Sequence, residues 1–458
     1  MNRAVRMLDL LARAASILLG DNREDADAPD ARHLLEALGY STAKELPARD
    51  GKLDPERLHR ARLLNAASRF ARLFQLAAPD APGLICFGAE LDPAIADPMH
   101  EGSPLVGVSG VGLSLQEAFQ GCIGEGVEYL SQLQTAGDLL LPSSANHQVA
   151  QTAGETSQFL NTWSSYRLSR DAEPWWHRAT RLTDGCEVLL PADLCLRRPA
   201  GQCEVDLPFM LGTGSAAGAS WEAAALHGLL ELIERDAASL WWRGGKRGRT
   251  ISPRHEASLM ADDLLVQLRA NASTQRRSWL LDITTDLAVP CVAAVSCRPD
   301  GLGFAFGLAA RPSLKAAVRS AVLEMCQIEL AQSLAETKRR ERGEIALNER
   351  DRTHLRRATM INSDRCLLLR PLPERTEHLA IAMTDPRTVL QLMVRRLEQF
   401  GIETFGLDLT RPQFAIPAAR VIAPGLQLEP SKIVTARLAD TIVRAGGGSR
   451  YTGEVALI

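Results

Sequence analysis

The chain has 458 residues, enough for two to three domains of ordinary size. Hydrophobic residues make up 46% and charged residues 23%, which excludes a disordered chain, a collagen and a coiled-coil rod. Basic and acidic residues nearly balance, 52 against 55, and a net charge of −3 argues against a dedicated nucleic-acid binder.

Residues 1–80 are expected to form a small helical domain. Periodic stretches at 4–19 and 55–78 flank a polar linker containing DNREDADAPD. The first stretch holds Asp9 and Arg13 and lacks a cleavage site, so it reads as an amphipathic helix packed on protein, not as a signal peptide. No run reaches 18 clean apolar residues, so no membrane span is expected. Pro79-Asp-Ala-Pro82 marks a boundary, and 81–458 reads as one domain of α/β class. Within it LICFGAEL, SWLLDITT, PCVAAVSC and GFAFGLAA read as strands. Residues 114–133, 220–243, 313–340 and 386–402 read as helices, and ETFGLDLT and AARVIAPGL as late strands. The glycine-rich tail from Gly446 carries no signal beyond turns.

Nine cysteines, an odd number without a CxxC, lie mostly in apolar runs. A reduced, cytoplasmic protein is the expectation. Cys186, Cys195 and Cys203 do not have zinc-ribbon spacing.

The most informative feature is an internal repeat. Ser114, Ser220 and Ser313 each precede a helical pattern. Counting from each serine, position +4 is Ala118, Ala224 and Ala317, and +11 is Glu125, Glu231 and Glu324. Position +14 is Glu128, Glu234 and Gln327. Gly112 and Gly218 match at −2, where the third copy has Arg311. Serine at an N-cap satisfies a free amide of the first turn. Positions +4, +7, +11 and +14 share one helical face. Two carboxylates on adjacent turns repel, and burial adds desolvation, so repeated Glu pairs point to a bound cation. Mg²⁺ bridging carboxylates and phosphates suits such a set. Solvated helix faces with chance spacing are the alternative. The +7 column is Gly121, His227 and Ser320. His227 either contacts a phosphate or sugar, or works as acid or base, or is paired structurally with a nearby Glu.

These segments resemble the YcaO family. GTGSAAGASWEAAALHGLLELIERDAASLWW (212–242) is similar to its signature helix, SGVGLSLQEAFQGCIGEGVEYL (109–130) to its first nucleotide motif and LKAAVRSAVLEMCQ (314–327) to its third. The resemblance implies a YcaO-like fold, with pseudo-repeated helices on β-sheet around a central site. It implies an ATP- and Mg²⁺-dependent enzyme that activates a peptide backbone amide by O-phosphorylation. A Cys, Ser or Thr side chain of the substrate then attacks, giving an azoline. In other members an external sulfur gives a thioamide, with a TfuA-like partner. The resemblance implies ATP contacts at Ser109, Glu125, His227, Glu231, Arg235, Lys246, Ser320 and Gln327, and Mg²⁺ at Glu125, Glu128, Glu231, Glu234 and Glu324. No catalytic residue is assigned beyond His227 as a candidate.

The segment GTGSAAGAS lacks a Walker GK[ST], yet its glycines let backbone amides approach a phosphate. Of Arg243, Lys246 and Arg247 one is expected to reach a phosphate and the others to be solvated. Arg319 and Lys338-Arg-Arg-Glu-Arg read as solvated helix faces. The sequence ends GEVALI, without the proline-rich tail of many azoline-forming members, which keeps thioamidation open. The expected partners are a precursor peptide and a separate leader-binding or TfuA-like protein. A flavin dehydrogenase of the same pathway, and a homodimer or hetero-complex, complete the expectation. A non-catalytic peptide-binding scaffold is the alternative of another class.

Overall fold

The computed structural model describes residues 3–20, 29–40, 54–142, 175–199, 211–272, 275–373 and 384–458. The helices are α1 (Arg3–Leu19), α2 (Pro29–Ala37), α3 (Pro55–Ala67), α4 (Leu115–Gln132) and α5 (Trp221–Trp242). They continue with α6 (Glu256–Arg269), α7 (Leu314–Arg342), α8 (Glu349–Met360), α9 (Pro386–Glu398) and α10 (Ala436–Ala445). The strands are β1 (Arg72–Leu76), β2 (Ile85–Leu91), β3 (Val106–Gly112), β4 (Trp176–Arg181), β5 (Glu187–Pro191) and β6 (Ser215–Ala217). They continue with β7 (Arg277–Asp282), β8 (Cys291–Cys297), β9 (Ala305–Ala310), β10 (Phe405–Asp408) and β11 (Ala418–Ile422).

Mixed helix and sheet is the observed class. Three antiparallel sheets run in the orders β1-β2-β3, β5-β4-β10-β11-β6 and β7-β8-β9. A strand of each sheet leads into a long helix: β3 into α4, β6 into α5 and β9 into α7. Helix and strand lie so close that small residues are obligatory. A Cβ built on Gly110 of β3 would sit 2.0 Å from the Cys122 amide nitrogen of α4. One on Gly307 of β9 would sit 2.1 Å from the Ala321 carbonyl oxygen of α7. Ala118, Ala224 and Ala317, the +4 column, are fully buried.

Several expectations need correction. Residues 55–78 are not one helix: α3 ends at Ala67, and β1 pairs in register with β2 from Arg72↔Glu90 to Leu76↔Cys86. Backbone pairing there overrides the helical spacing of the apolar residues. The expected boundary at 79–82 thus falls inside a sheet. The helices α1–α3 bury Leu11, Leu35 and Leu64 in a core shared with Phe119 and Ile123 of α4. The polar linker contains a helix, α2, which starts at Pro29 and buries Ala31 and Leu35. The C-terminal tail also takes part in packing. Trp242 Nε1 donates to the Val455 carbonyl at 2.7 Å, and Leu457 is fully buried. A stack runs from Trp242 to Phe304 (centroids 5.5 Å) and on to Phe306 (5.8 Å), joining α5 to the β7-β8-β9 sheet.

Candidate functional site

The three strand–helix units share one construction. Ser114, Ser220 and Ser313 cap their helices, each hydroxyl accepting from the amide three residues on: Glu117 at 3.1 Å, Ala223 at 3.1 Å and Ala316 at 3.2 Å. Each +11 glutamate bends back to the segment before its helix. Glu125 accepts from the Ser109 amide at 3.0 Å, Glu231 from the Gly214 amide at 3.0 Å, and Glu324 from the Leu308 amide at 2.9 Å. Positions +14 in the second and third units cross to a neighbouring unit. Glu234 accepts from the Ala310 amide of β9 at 3.2 Å, and Gln327 Nε2 donates to Ser109 Oγ of β3 at 2.9 Å. Helix packing follows the same cyclic order, α4 on β6, α5 on β9 and α7 on β3. The repeat in the sequence is therefore a closed ring of three units, with glutamates around its axis.

Charge in this ring is unbalanced. Burial is the first cause that raises the pKa of Glu125, Glu128, Glu231 and Glu324. Neighbouring carboxylates add to it: Glu231 acts on both Glu125 and Glu128, and Glu234 acts on Glu231 and Glu324. Glu324 is pushed from 4.5 to about 7. The groups of α4 and α5 feel one another, and so do those of α5 and α7, which brings the three helices to one site.

Arginines supply part of the missing charge. Arg235 reaches Glu231 at 3.3 Å and Glu234 at 3.0 Å. Burial alone would lower the Arg235 pKa, but Glu234, Glu231 and Glu324 raise it above its ordinary value. Four further arginines lie close enough to lower a glutamate: Arg350 acts on Glu125, Arg197 and Arg420 on Glu128, and Arg311 on Glu324. Arg420 is buried, donates to Ser215 Oγ at 3.2 Å and to the Leu211 carbonyl, and is lowered to about 10 by burial. These four lie far apart in the chain, and no motif marks them. Arg311 alone left a trace, because it replaces the glycine of the other two copies.

His227 is exposed, yet enclosed enough that burial lowers its pKa, with Arg311 as the second cause. Its imidazole is neutral at pH 7, fit to donate or accept one hydrogen bond. Ser320, one turn before Glu324 on the same face, is half-buried. Gly121 is exposed.

Lys246 does not join this group. The chain reverses after α5 at Gly245 (φ +83°), and Lys246 lies roughly three helical turns beyond Glu234. Its ammonium donates to the Thr284 carbonyl at 3.4 Å and lines a cavity of about 380 Å³ with Asp286 and Arg437. Arg243 pairs with buried Glu429 at 3.2 Å, and Arg247 donates to the Arg370 carbonyl at 2.8 Å. Arg319 is not merely solvated. It forms a two-point pair with Glu117 (2.6 and 2.8 Å), joining α7 to α4. Cys203 lies outside the described residues, while Cys195 is buried and Cys186 exposed.

The donor set fits Mg²⁺ held together with phosphates. Oxygen ligands predominate, and burial and mutual repulsion favour protons on Glu128 and Glu324 that a bound cation would displace. Among the described residues no three such groups close on one point as a complete cage. Mg²⁺ ordinarily takes one or two carboxylates and completes its shell with water and phosphate oxygens.

Comparison with known proteins gives the family and the fold. The family model for YcaO cyclodehydratase, ATP- and Mg²⁺-binding, matches residues 109–427. An uncharacterized protein from Methanothermobacter thermautotrophicus is 30% identical over 263 residues, 55% of this chain and 65% of that protein. A heterocyclase solved with substrate and cofactor has a TM-score of 0.64 at 22% identity, over 89% of this chain and 57% of that one. A YcaO protein from Methanopyrus kandleri, bound with AMPPCP and Mg²⁺, has a TM-score of 0.54 at 17% identity, over 82% and 91%. The chain thus spans less than two thirds of the curated relative and of that heterocyclase. At these identities the two solved structures speak for the fold.

Proposed function

The chain belongs to the YcaO family, whose cofactors are ATP and Mg²⁺, and from that premise we propose that it activates a backbone amide of a ribosomally made precursor peptide and closes an azoline ring. The observation that carries this reading is the ring of five glutamates on three helices, four of them held above the ordinary carboxyl pKa by burial and by one another, with five arginines around it. Phosphoryl transfer asks a protein for positioning and charge neutralisation more than for a covalent nucleophile. When bound, ATP supplies the phosphoryl group that turns the amide oxygen into a leaving group, and Mg²⁺ offsets the phosphate charge.

The protein's residues have separable tasks in this proposal. Glu125, Glu128, Glu231, Glu234 and Glu324 hold the cation side of the site. Arg235, paired with Glu231 and Glu234, fixes their orientation, and Arg197, Arg311, Arg350 and Arg420 add positive charge that favours phosphate oxygens. Neutral His227, on the helical face that carries Glu231 and Glu234, hydrogen-bonds the nucleotide or takes the proton released when the substrate's Cys, Ser or Thr attacks. Gln327 and Ser109 close the ring between the first and third units. Burial strengthens each of these interactions relative to water.

A separate leader-binding partner and a cytoplasmic location belong to the same proposal. Eight described cysteines are free thiols, and no helix among the described residues is long and apolar enough to cross a membrane.

The test uses synthetic peptides taken from short reading frames beside the gene, with the amide carbonyls carrying heavy oxygen. Incubation with ATP and Mg²⁺ is expected to give loss of one water per ring and transfer of the heavy oxygen into phosphate. ATP hydrolysis with unlabelled phosphate and an unchanged peptide would contradict amide activation.

A further inference from the structure

The sheet β7-β8-β9 has two unlike edges. At one, β9 faces the ring, where the Leu308 amide holds Glu324. At the other, β7 borders a groove of about 630 Å³ whose far wall is α6. That volume falls in the range of small-ligand pockets.

The edge of β7 is only partly paired. Asp282 exchanges two backbone hydrogen bonds with Arg249, both 2.8 Å, on the side away from β8. Outward and inward backbone groups alternate along an antiparallel strand. Ser278 and Leu280 therefore turn their N–H and C=O groups outward in the same direction as Asp282. The chain after Arg249 does not continue the ladder. Thr250 donates instead to the Leu372 carbonyl at 2.8 Å, and Pro253 has no N–H to offer. Among the described residues Ser278 and Leu280 have no backbone partner at this edge. The groove walls are set. Leu265, Asp262 and Ser258 of α6 line one side, over the buried Ala261 and Ile251, and Trp279, pinned by its indole to the Leu369 carbonyl at 2.9 Å, lines the other. Arg277 pairs with Asp364 at 2.8 Å at one end.

Among the described residues these N–H and C=O groups, two residues apart, have no backbone partner, and such a row matches one kind of ligand, a polypeptide in β conformation. A helix wall beside such an edge adds selectivity for alternate side chains. We infer that the groove between α6 and β7 docks an extended segment of the peptide substrate, which adds to this edge of β7 as a further strand. An inward side chain on the α6 face meeting Leu265 would be apolar, and one beside it would face Asp262 and Ser258. β7 stands two strand spacings, about 10 Å, from β9. The docked segment is thus held outside the glutamate ring, leaving the ring free for the residue that reacts. The inference rests on the peptide-substrate reading above.

The test uses the full chain and a fluorescein-labelled pool of blocked octapeptides alternating Val, Leu or Ile with Thr, Ser or Gln. Saturable fluorescence anisotropy is expected, and the same pool methylated on alternate backbone nitrogens is expected to bind at least tenfold more weakly. Ser278→Pro removes one outward donor, which an edge strand tolerates, but also the hydroxyl that accepts from Arg269 at 3.0 Å; Ser278→Ala, which loses only that hydroxyl, is its control and is expected to keep wild-type binding. Leu265→Glu places a charge on the α6 wall. Ser278→Pro and Leu265→Glu are each expected to weaken pool binding at least tenfold while Mg²⁺-dependent ATP binding stays at the wild-type level. No saturable binding, or equal binding by the methylated pool or by both of these variants, would overturn the docking site. So would a dimer formed through β7 that the pool cannot displace. Loss of ATP binding in the wild type would instead contradict the proposed activity, so the two failures are distinguishable.

Discussion

The strained charge of the ring has a thermodynamic signature that Glu324 isolates. Its carboxyl is raised from 4.5 to about 7, by burial first and then by Glu234. A carboxyl with a raised folded pKa binds its proton more tightly in the folded state. Its stabilising contribution is full below the unfolded value of 4.5 and is lost as pH rises through about 7. Glu125, Glu128 and Glu231 shift in the same direction. The full Glu324 shift corresponds to about 3 kcal/mol. Solvent screening at a half-buried carboxylate reduces this to about 1–2 kcal/mol. Unfolding entropy scales with length, so a chain of this size moves by roughly 1 °C per kcal/mol. Glu324→Gln keeps an oxygen for the Leu308 amide and removes the charge at every pH. Scanning calorimetry without Mg²⁺ is therefore expected to show the wild type melting lower at about pH 8 than at about pH 5.5. The variant is expected to melt higher than wild type by about 1–2 °C at the upper pH only. Mg²⁺ with ATP is expected to raise the wild type at that pH and the variant less. A wild-type midpoint that does not fall over this range, or a variant no more stable at the upper pH, would refute the charge imbalance.

Three further outcomes follow from particular contacts. His227→Ala is expected to weaken ATP binding about fivefold to tenfold by calorimetry, from loss of roughly one hydrogen bond; unchanged affinity would make His227 structural. Gly307→Val forces a side chain against the Ala321 carbonyl, and urea unfolding is expected to show about 1–3 kcal/mol or more of destabilisation. Stability within error of wild type would mean that β9 and α7 are not in this contact. Trp242→Ala removes the stack on Phe304 and the bond to Val455, with an expected loss of about 3–5 kcal/mol in the same assay. A small loss would detach the C-terminal tail from the core.

Much of the site was legible because it is repeated. Ser, Ala and Glu recur at fixed offsets, and the structure turns each offset into one contact, cap, close approach and strand-bound carboxylate. The ring itself was not legible. Spacing places residues on a helix face but says nothing of which strand a +14 residue crosses to. The arginines were hidden for the same reason, since Arg197, Arg350 and Arg420 come from separate elements and meet only after folding. Lys246 stands apart from the glutamates because sequence adjacency to the Glu pair does not survive the turn at Gly245. β1 was missed because its apolar residues also fit helical spacing, and only pairing with β2 decides between the two. The tail was silent because its burial depends on Trp242, more than two hundred residues away.

The most direct measurement is calorimetric titration of the full chain with ATP, with and without Mg²⁺, on the wild type and on Glu231→Gln. Glu231 joins Gly214, Arg235 and the α4 glutamates, so it sits where all parts of the ring meet. The ring account predicts Mg²⁺-dependent binding by the wild type, lost in a variant that melts at or above the wild-type temperature. Mg²⁺-dependent binding of equal affinity in Glu231→Gln would contradict it.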